Sequence, residues 1–536
     1  MARTRDKKKN KPANKSAGKK RATRPGVRKK ASRNATARGA GPATAPCVAP
    51  GSPDQYRVRV RMYRQGLGDC FLITFPRAGR SPFQMLIDCG ALARNAKFMT
   101  QIVRHIRDTV RVGQGKARLD VVVATHEHRD HLSGFNQARE VFSNDFDFGA
   151  VWLGWTENLS QPAIRKIKET KKRAREKLRA ALDKHAVRGA TLDGVAAILG
   201  FSEDDDTTGS VRIAEALAYL KLRGKEAGDL RYLEPGADPL ELDGLADVRV
   251  FVLGPPRDPQ LLKESKVTEQ MKQEDVVYHL AATGEAGLEA LSAAVDAVSD
   301  GPGADGDRYH PFAAEHRIAP TVPDPLQPNV RIPNPYFKSL RPFIRKTYGD
   351  ADQKWRRIDH AWLDAFGQLA LDLDSDTNNT SLVLAIEFVK TQEVLLFVGD
   401  AQVGNWRSWA EVDFQVPGRA RRMPAHELLR NTVFYKVGHH CSHNATLHKG
   451  GLELMTRENL VAFVPLDKET ARQQGRRDRK TGIPKGWDMP AKPLLKALTE
   501  KAMERVVISD VNERVSAAAA LAGVIETNTY IDYFLK

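Results

Sequence analysis

The sequence predicts a layered α/β sandwich, and three observations carry that prediction. Short apolar, β-rich segments alternate with segments of helical periodicity. They fall in two blocks, near 56–155 and 378–510, rather than in one regular βα alternation. Polar residues able to bind metal follow directly on several of the apolar segments, where the ends of strands gather at one edge of a sheet.

In Tyr56–Tyr63, Val58, Val60 and Met62 alternate with Arg57, Arg59 and Arg61, the period of a half-buried strand. The turn Gln65-Gly66-Leu67-Gly68-Asp69 leads to strand Cys70–Phe75, and a second turn leads to strand Phe83–Ile87, completing a meander. Phe98, Ile102, Ile106 and Val110 share one helical face. Strand Leu119–Ala124, helix Leu132–Phe142 and strand Ala150–Leu153 follow. Gln161–Ala186 reads as a helix with ten Lys/Arg and three acids, and further helical, acidic stretches run to Leu245. Strand Val248–Leu253 ends at Gly254-Pro255-Pro256. Leu288–Val298 and Trp355–Leu369 read as helical, and the Pro-rich segment 302–346 as irregular. Strands Ser381–Phe388, Val394–Val398 and Thr432–Val437, helix Pro493–Met503 and strand Val506–Ser509 complete the body. No internal repeat is visible.

The 536 residues hold 84 Lys and Arg against 66 Asp and Glu, a formal charge of +18. Sixteen of those cations and a single acid lie in residues 1–46, so the other 490 residues carry only +3. This arm has almost no large apolar side chain and cannot offset its ordering entropy, so disorder is expected over 1–50. Its charge suits a polyanion such as nucleic acid, or a solubilising role. It has no apolar core of a secretory signal. The longest apolar run, Val515–Ile525, is too short for a membrane span and contains Ser516. Cys47, Cys70, Cys89 and Cys441 form no CxxC pair, which points to a reducing, cytoplasmic setting.

The chemistry concentrates in Thr125-His126-Glu127-His128-Arg129-Asp130-His131. Three imidazoles and a carboxylate on a loop leaving a rigid strand can converge on a divalent metal. His126 and His128, two apart in extended chain, can share one ion, and Asp130 and His131 a second. Asp400 follows strand Val394–Val398 through Gly399, and Gly438-His439-His440-Cys441 follows strand Thr432–Val437. Singly these are ordinary turn residues; together, each at a strand end, they become specific. No Ser/His/Asp triad or P-loop is visible, so covalent catalysis and triphosphate hydrolysis find no support.

These segments resemble the metallo-β-lactamase-fold hydrolases, most closely the metallohydrolase domain of the ComEC type, found at the C-terminal end of a bacterial DNA-uptake channel. Gln65–Cys70 resembles its Gly-Gln-Gly-Asp turn, Leu86-Ile87-Asp88-Cys89-Gly90 its LIDTG strand end, and the 125–131 loop its metal loop. Asn378-Asn379-Thr380-Ser381-Leu382-Val383, Phe397-Val398-Gly399-Asp400 and Lys436-Val437-Gly438-His439-His440-Cys441-Ser442 resemble its Asn-Asn-x-Ser-Leu-Val, LTGD and KVxHHGS segments. The similarity covers about half the chain and lacks the channel's membrane part. It implies a four-layer αβ/βα metallo-β-lactamase sandwich with core halves 51–156 and 376–536, a core strand 247–256, and insertions 157–246 and 257–375. It also implies up to two divalent ions, zinc first and manganese second. By that resemblance His126 and His128 hold one ion, Asp130, His131 and His439 the other, and Asp400 bridges. Asp130 and Asp400 are then catalytic as well, and His440 contacts substrate or leaving group. Two departures stand out: no Gly-His histidine lies between the metal loop and Asp400, and Cys441 replaces a Gly, where it is expected to pack rather than ligate.

The resulting expectation is a metal-dependent nuclease or phosphodiesterase that binds nucleic acid through the arm and helix 161–186, with no membrane partner. A small-ester, lactone or phosphate hydrolase of the same fold is the alternative. A second is a catalytically weak regulatory subunit whose insertions bind protein partners.

Overall fold

The computed structural model describes residues 56–184, 213–262, 321–327, 329–349, 374–474, 486–487 and 489–536. The basic arm and the expected helices Leu288–Val298 and Trp355–Leu369 lie outside them. Among the described residues no helix is long and apolar enough to cross a membrane.

The first sheet opens as an antiparallel meander of β1 (Val58–Tyr63), β2 (Cys70–Arg77) and β3 (Arg80–Cys89). It continues in parallel through β4 (Ala117–Ala124), β5 (Phe146–Gly154) and β6 (Leu230–Leu233). The second sheet begins with the antiparallel pair β7 (Leu240–Leu242) and β8 (Leu245–Gly254). A separate ribbon, β9 (Thr321–Pro323) with β10 (Arg331–Pro333), follows. The second sheet resumes with β11 (Val383–Phe388), antiparallel both to β8 and to β12 (Glu393–Phe397). After a short ribbon of β13 (Asp413–Phe414) and β14 (Met423–Pro424), three strands join in parallel: β15 (Thr432–Lys436), β16 (Val461–Val464) and β17 (Val506–Ile508). The chain then returns to the first sheet as β18 (Val524–Glu526) and β19 (Tyr530–Leu535), the latter pairing along all of β1. The sheet orders are 18-19-1-2-3-4-5-6 and 17-16-15-12-11-8-7.

The two sheets pack face to face. Val60, Phe71, Ile73, Val123 and Trp152 of the first share one apolar cluster with Val250, Ile386, Phe397, Phe434 and Phe463 of the second. Because one face of each strand fills this layer, the other must be covered by helices. The outer face of the first sheet carries α1 (Ala96–Val110), α2 (Arg129–Gln137) and α3 (Arg139–Asp145). The outer face of the second is covered by the helices Val403–Ser408, Ala425–Arg430 and Lys492–Lys501, around stacked Trp406 and Trp409. The architecture is an α/β sandwich of two mixed sheets between helical layers.

Four elements differ from the sequence reading. The helix expected over Leu132–Phe142 is two helices, α2 and α3, broken at Ala138. Helix α4 (Pro162–Lys184) is present as expected, but the rest of the supposed insertion 157–246 is not a separate body. Helix α5 (Ile213–Glu226) buries Ile213, Ala216, Leu217 and Leu220 against the first sheet, and β6 extends that sheet. Part of the Pro-rich 302–346 is ordered: Asn334 caps the helix Pro335–Ile344, where Pro at the first helical position costs no hydrogen bond. Lastly, the run Val515–Ile525 splits into the helix Ala517–Leu521 and β18, and β19 lies beyond the expected end.

Candidate metal centre

β3 and β4 run parallel, as do β12 and β15, so each pair delivers its C-terminal residues to one edge. From those ends come Asp88, the 125–131 loop, Asp400 and the His439-His440 pair. The Gly turn 65–69 is pressed against the loop: Asp69 N–H donates to Asp130 O at 2.9 Å, and Gly90 N–H donates to Asp69 O at 2.9 Å. A Cβ on Gly68, whose φ is +146°, would stand 2.4 Å from Asp130 O. Only glycine permits that approach.

Asp130, His131, Asp400 and His440 are buried and converge. His440 Nε2 lies 2.8 Å from Asp130 Oδ2 and 3.6 Å from Asp400 Oδ2. His131 Nε2 lies 3.1 Å from Asp400 Oδ2 and 3.5 Å from Asp130 Oδ2. Ligands about 2.1 Å from a tetrahedral ion sit about 3.4 Å from one another, so these spacings already approximate such a shell. His131 Nε2 and Asp130 Oδ1 are buried with no hydrogen bond, which leaves them available to an ion. The donor set fits a divalent metal.

The far nitrogens support the same reading. His131 Nδ1–H donates to Asp88 Oδ2 at 2.8 Å, and His440 Nδ1–H donates to Pro465 O at 2.6 Å. Thr125 donates to Asp88 Oδ2 at 2.6 Å and stands 3.1 Å from His126 Nδ1. His128 Nε2 faces Asp374 Oδ1 at 3.6 Å. Such outer partners fix tautomer and ring direction in metal sites. His126 Nε2 and His128 Nδ1 face each other at 3.0 Å, a second and thinner pair of candidate ligand atoms.

Lys436 is the internal cation of the site. Its ammonium reaches Asp69 Oδ2 at 2.5 Å, Asp400 Oδ1 at 3.1 Å and Gly399 O at 2.6 Å. With the His439 N–H on Asp400 Oδ1 at 2.9 Å, it leaves the other oxygen of Asp400 facing the imidazoles. Burial raises the Asp69 carboxyl and Lys436 and His131 draw it back, leaving it at about 6. Burial opposes a charge on His131, yet Asp400, Asp130, Asp69 and Asp88 outweigh it and raise its pKa well above the usual value. His440 is raised likewise by Asp400 and Asp130 against burial. Those carboxylates thus favour the protonated imidazoles in the metal-free protein, and a proton on a ligating nitrogen competes with a metal ion. Zinc affinity, measured against a competing chelator, is expected to weaken as pH falls, with proton release on binding.

The structure brings together His126, His128, Asp130, His131, Asp400 and His440. Of the last two histidines, His440, expected to contact substrate, stands in this cluster, whereas His439, the expected ligand, does not. His439, His440 and Cys441 all adopt left-handed backbone, with φ of 41°, 51° and 64°, a costly run for non-glycine residues. That turn sends His440 inward, whereas His439 Nδ1 lies 2.6 Å from Ser442 Oγ and 3.2 Å from Gln402 Nε2. Zinc content should fall in His440→Ala and persist in His439→Ala, as metal analysis of the purified variants will read. Cys441 packs in the outer core as expected, and burial pushes its thiol up to about 12, away from the thiolate a metal needs.

Sequence reading did not assign site roles to Asp69, Asp88, Lys436 and Asp374. Asp69, Asp88 and Lys436 were visible within the Gly-turn, strand-end and Lys436–Ser442 motifs, but nothing local shows that the three meet. A further pair links α4 to the ligand loop: Lys168 Nζ lies 2.9 Å from Glu127 Oε2 and 2.5 Å from Glu157 Oε2. No protein-family model and no curated protein matches this chain.

Proposed function

We propose that this protein is a metal-dependent hydrolase with a metallo-β-lactamase-type fold that cleaves phosphodiester bonds in nucleic acid. The observation that carries the reading is the buried convergence of His131, His440, Asp130 and Asp400, with His131 Nε2 left without a hydrogen bond among them. Imidazole and carboxylate donors suit zinc, with manganese second. A divalent ion bound there supplies an acidified water and polarises a phosphoryl oxygen.

The chain's own residues prepare that chemistry. Lys436 and the His439 N–H hold one oxygen of Asp400, so the other has a single direction. Asp88 and Pro465 hold the imidazoles of His131 and His440 in ligating orientation. Asp130, in the first turn of α2, stays ionised: burial raises its pKa, but His131 and His440 more than reverse this.

Nucleic acid is favoured over a small ester by α4. Lys168 ties this helix to Glu127 in the 125–131 loop, and the same helix carries exposed Arg165, Lys166 and Arg173, which add positive charge for a polyanion. The arm of residues 1–46 adds a further +15. The test is metal analysis of the full chain beside hydrolysis of phosphodiesters and carboxylic esters with added zinc or manganese. Cleavage of nucleic acid that disappears in Asp400→Ala supports the proposal. Hydrolysis of esters alone, or of nothing by metal-loaded protein, overturns it.

A further inference from the structure

We propose that Asn378, Gln402 and His439 form a substrate subsite beside the metal centre, which receives a hydrogen-bond donor carried next to the scissile phosphate. The inference rests on the phosphodiester reading. Asn378 is 1% exposed, and its Nδ2 faces Asp374 Oδ2 at 3.2 Å. A carboxylate at that contact can only accept, so the amide is oriented and Oδ1 points the other way. That oxygen is buried and makes no hydrogen bond; nor does Oε1 of the fully buried Gln402. Buried acceptors rarely go unmet, because the loss of water is not repaid.

These groups lie beside the ions' ligands. His439 Nε2 is 3.4 Å from Asn378 Nδ2, Gln402 Nε2 is 3.2 Å from His439 Nδ1, and the His439 N–H holds Asp400. Asp374 joins Asn378 to His128 on the other side. Contacts thus link the three residues to His128 through Asp374 and to Asp400 through His439, the partly exposed member of the group. An unmet acceptor takes an O–H or N–H, not a phosphoryl oxygen. Beside a phosphodiester, nucleic acid offers two such donors, the ribose 2′-hydroxyl and a base N–H.

The experiment compares kcat/KM of wild type, Asn378→Ala and Gln402→Ala, as zinc-loaded full chains, on matched ribo- and deoxyribodinucleotides and on bis(p-nitrophenyl) phosphate, which has neither sugar nor base. Zinc content of each variant is measured alongside. The loss in Asn378→Ala is expected to be about tenfold greater on the ribodinucleotide than on the aryl diester, the scale of one buried hydrogen bond, with zinc content retained. A loss confined to the ribo substrate identifies the 2′-hydroxyl; an equal loss on both dinucleotides identifies the base. A uniform loss across all three substrates, or none, overturns the subsite. If wild type cleaves no phosphodiester, the hydrolase reading fails by itself. Binding of uridine 3′-monophosphate to zinc-loaded protein then decides the subsite: weaker binding in Asn378→Ala sustains it, and equal affinity overturns it.

Discussion

Asp400→Ala is expected to abolish zinc binding at the proposed centre and to lower the proposed phosphodiester turnover by more than about a hundredfold. Losing even an outer partner of a metal ligand costs about 10–100-fold, and Asp400 is in the inner group, with Oδ2 at 3.1 Å from His131 Nε2 and 3.6 Å from His440 Nε2. The fold should survive, because Asp400 follows β12 on a loop and Lys436 keeps its closer partner, Asp69, at 2.5 Å. Metal analysis, circular dichroism and turnover on one preparation check this. A variant that keeps both zinc and activity removes Asp400 from the site. His128→Ala gives the complementary reading: loss of turnover with one zinc equivalent retained identifies the His126–His128 pair as a second, functional ion position.

Lys436→Met should produce the largest loss of stability. The ammonium is 1% exposed and is shared by Asp69 and Asp400. Removing one partner of a buried ion pair strands the other charge and costs about 3–5 kcal/mol. The pH dependence follows from Asp69, whose pKa in the folded protein is about 6, above the about 3.9 of an unfolded chain. A carboxyl raised on folding binds protons more tightly in the native state, so its unfavourable contribution is full above the folded value and fades as pH falls. Without Lys436 that value rises further. Urea unfolding of metal-free protein should therefore show a large deficit at about pH 8 that narrows toward about pH 5. A deficit independent of pH would assign Lys436 a packing role alone.

The metal loop was legible because its ligands lie within six residues of one another, and Asp400 because a carboxylate follows an apolar strand through a glycine. Most strands were legible for the same local reason, an apolar run of β-rich residues. What escaped was non-local. The segments β6 and α5 read as part of a charged insertion: both are rich in apolar residues, but which sheet those residues join is decided only by pairing with β5 and packing on its neighbours. β19 was missed although it is interior to the first sheet, between β18 and β1. Lys436 heads the Lys436–Ser442 motif, but nothing local in the sequence shows that its ammonium turns inward to Asp69 and Asp400.

The sequence by itself determined the residue types, their order and their placement at strand ends, because hydrophobic periodicity and turn chemistry act over a few neighbouring positions. Only the tertiary structure decided which groups meet. His440 reaches Asp130 across 310 positions of chain, and it does so in place of His439 because three consecutive left-handed residues turn the loop. Sheet register brings the two strand ends together, and the turn at 439–441 is held by contacts of its own loop and by Ala491 N–H donating to Cys441 O.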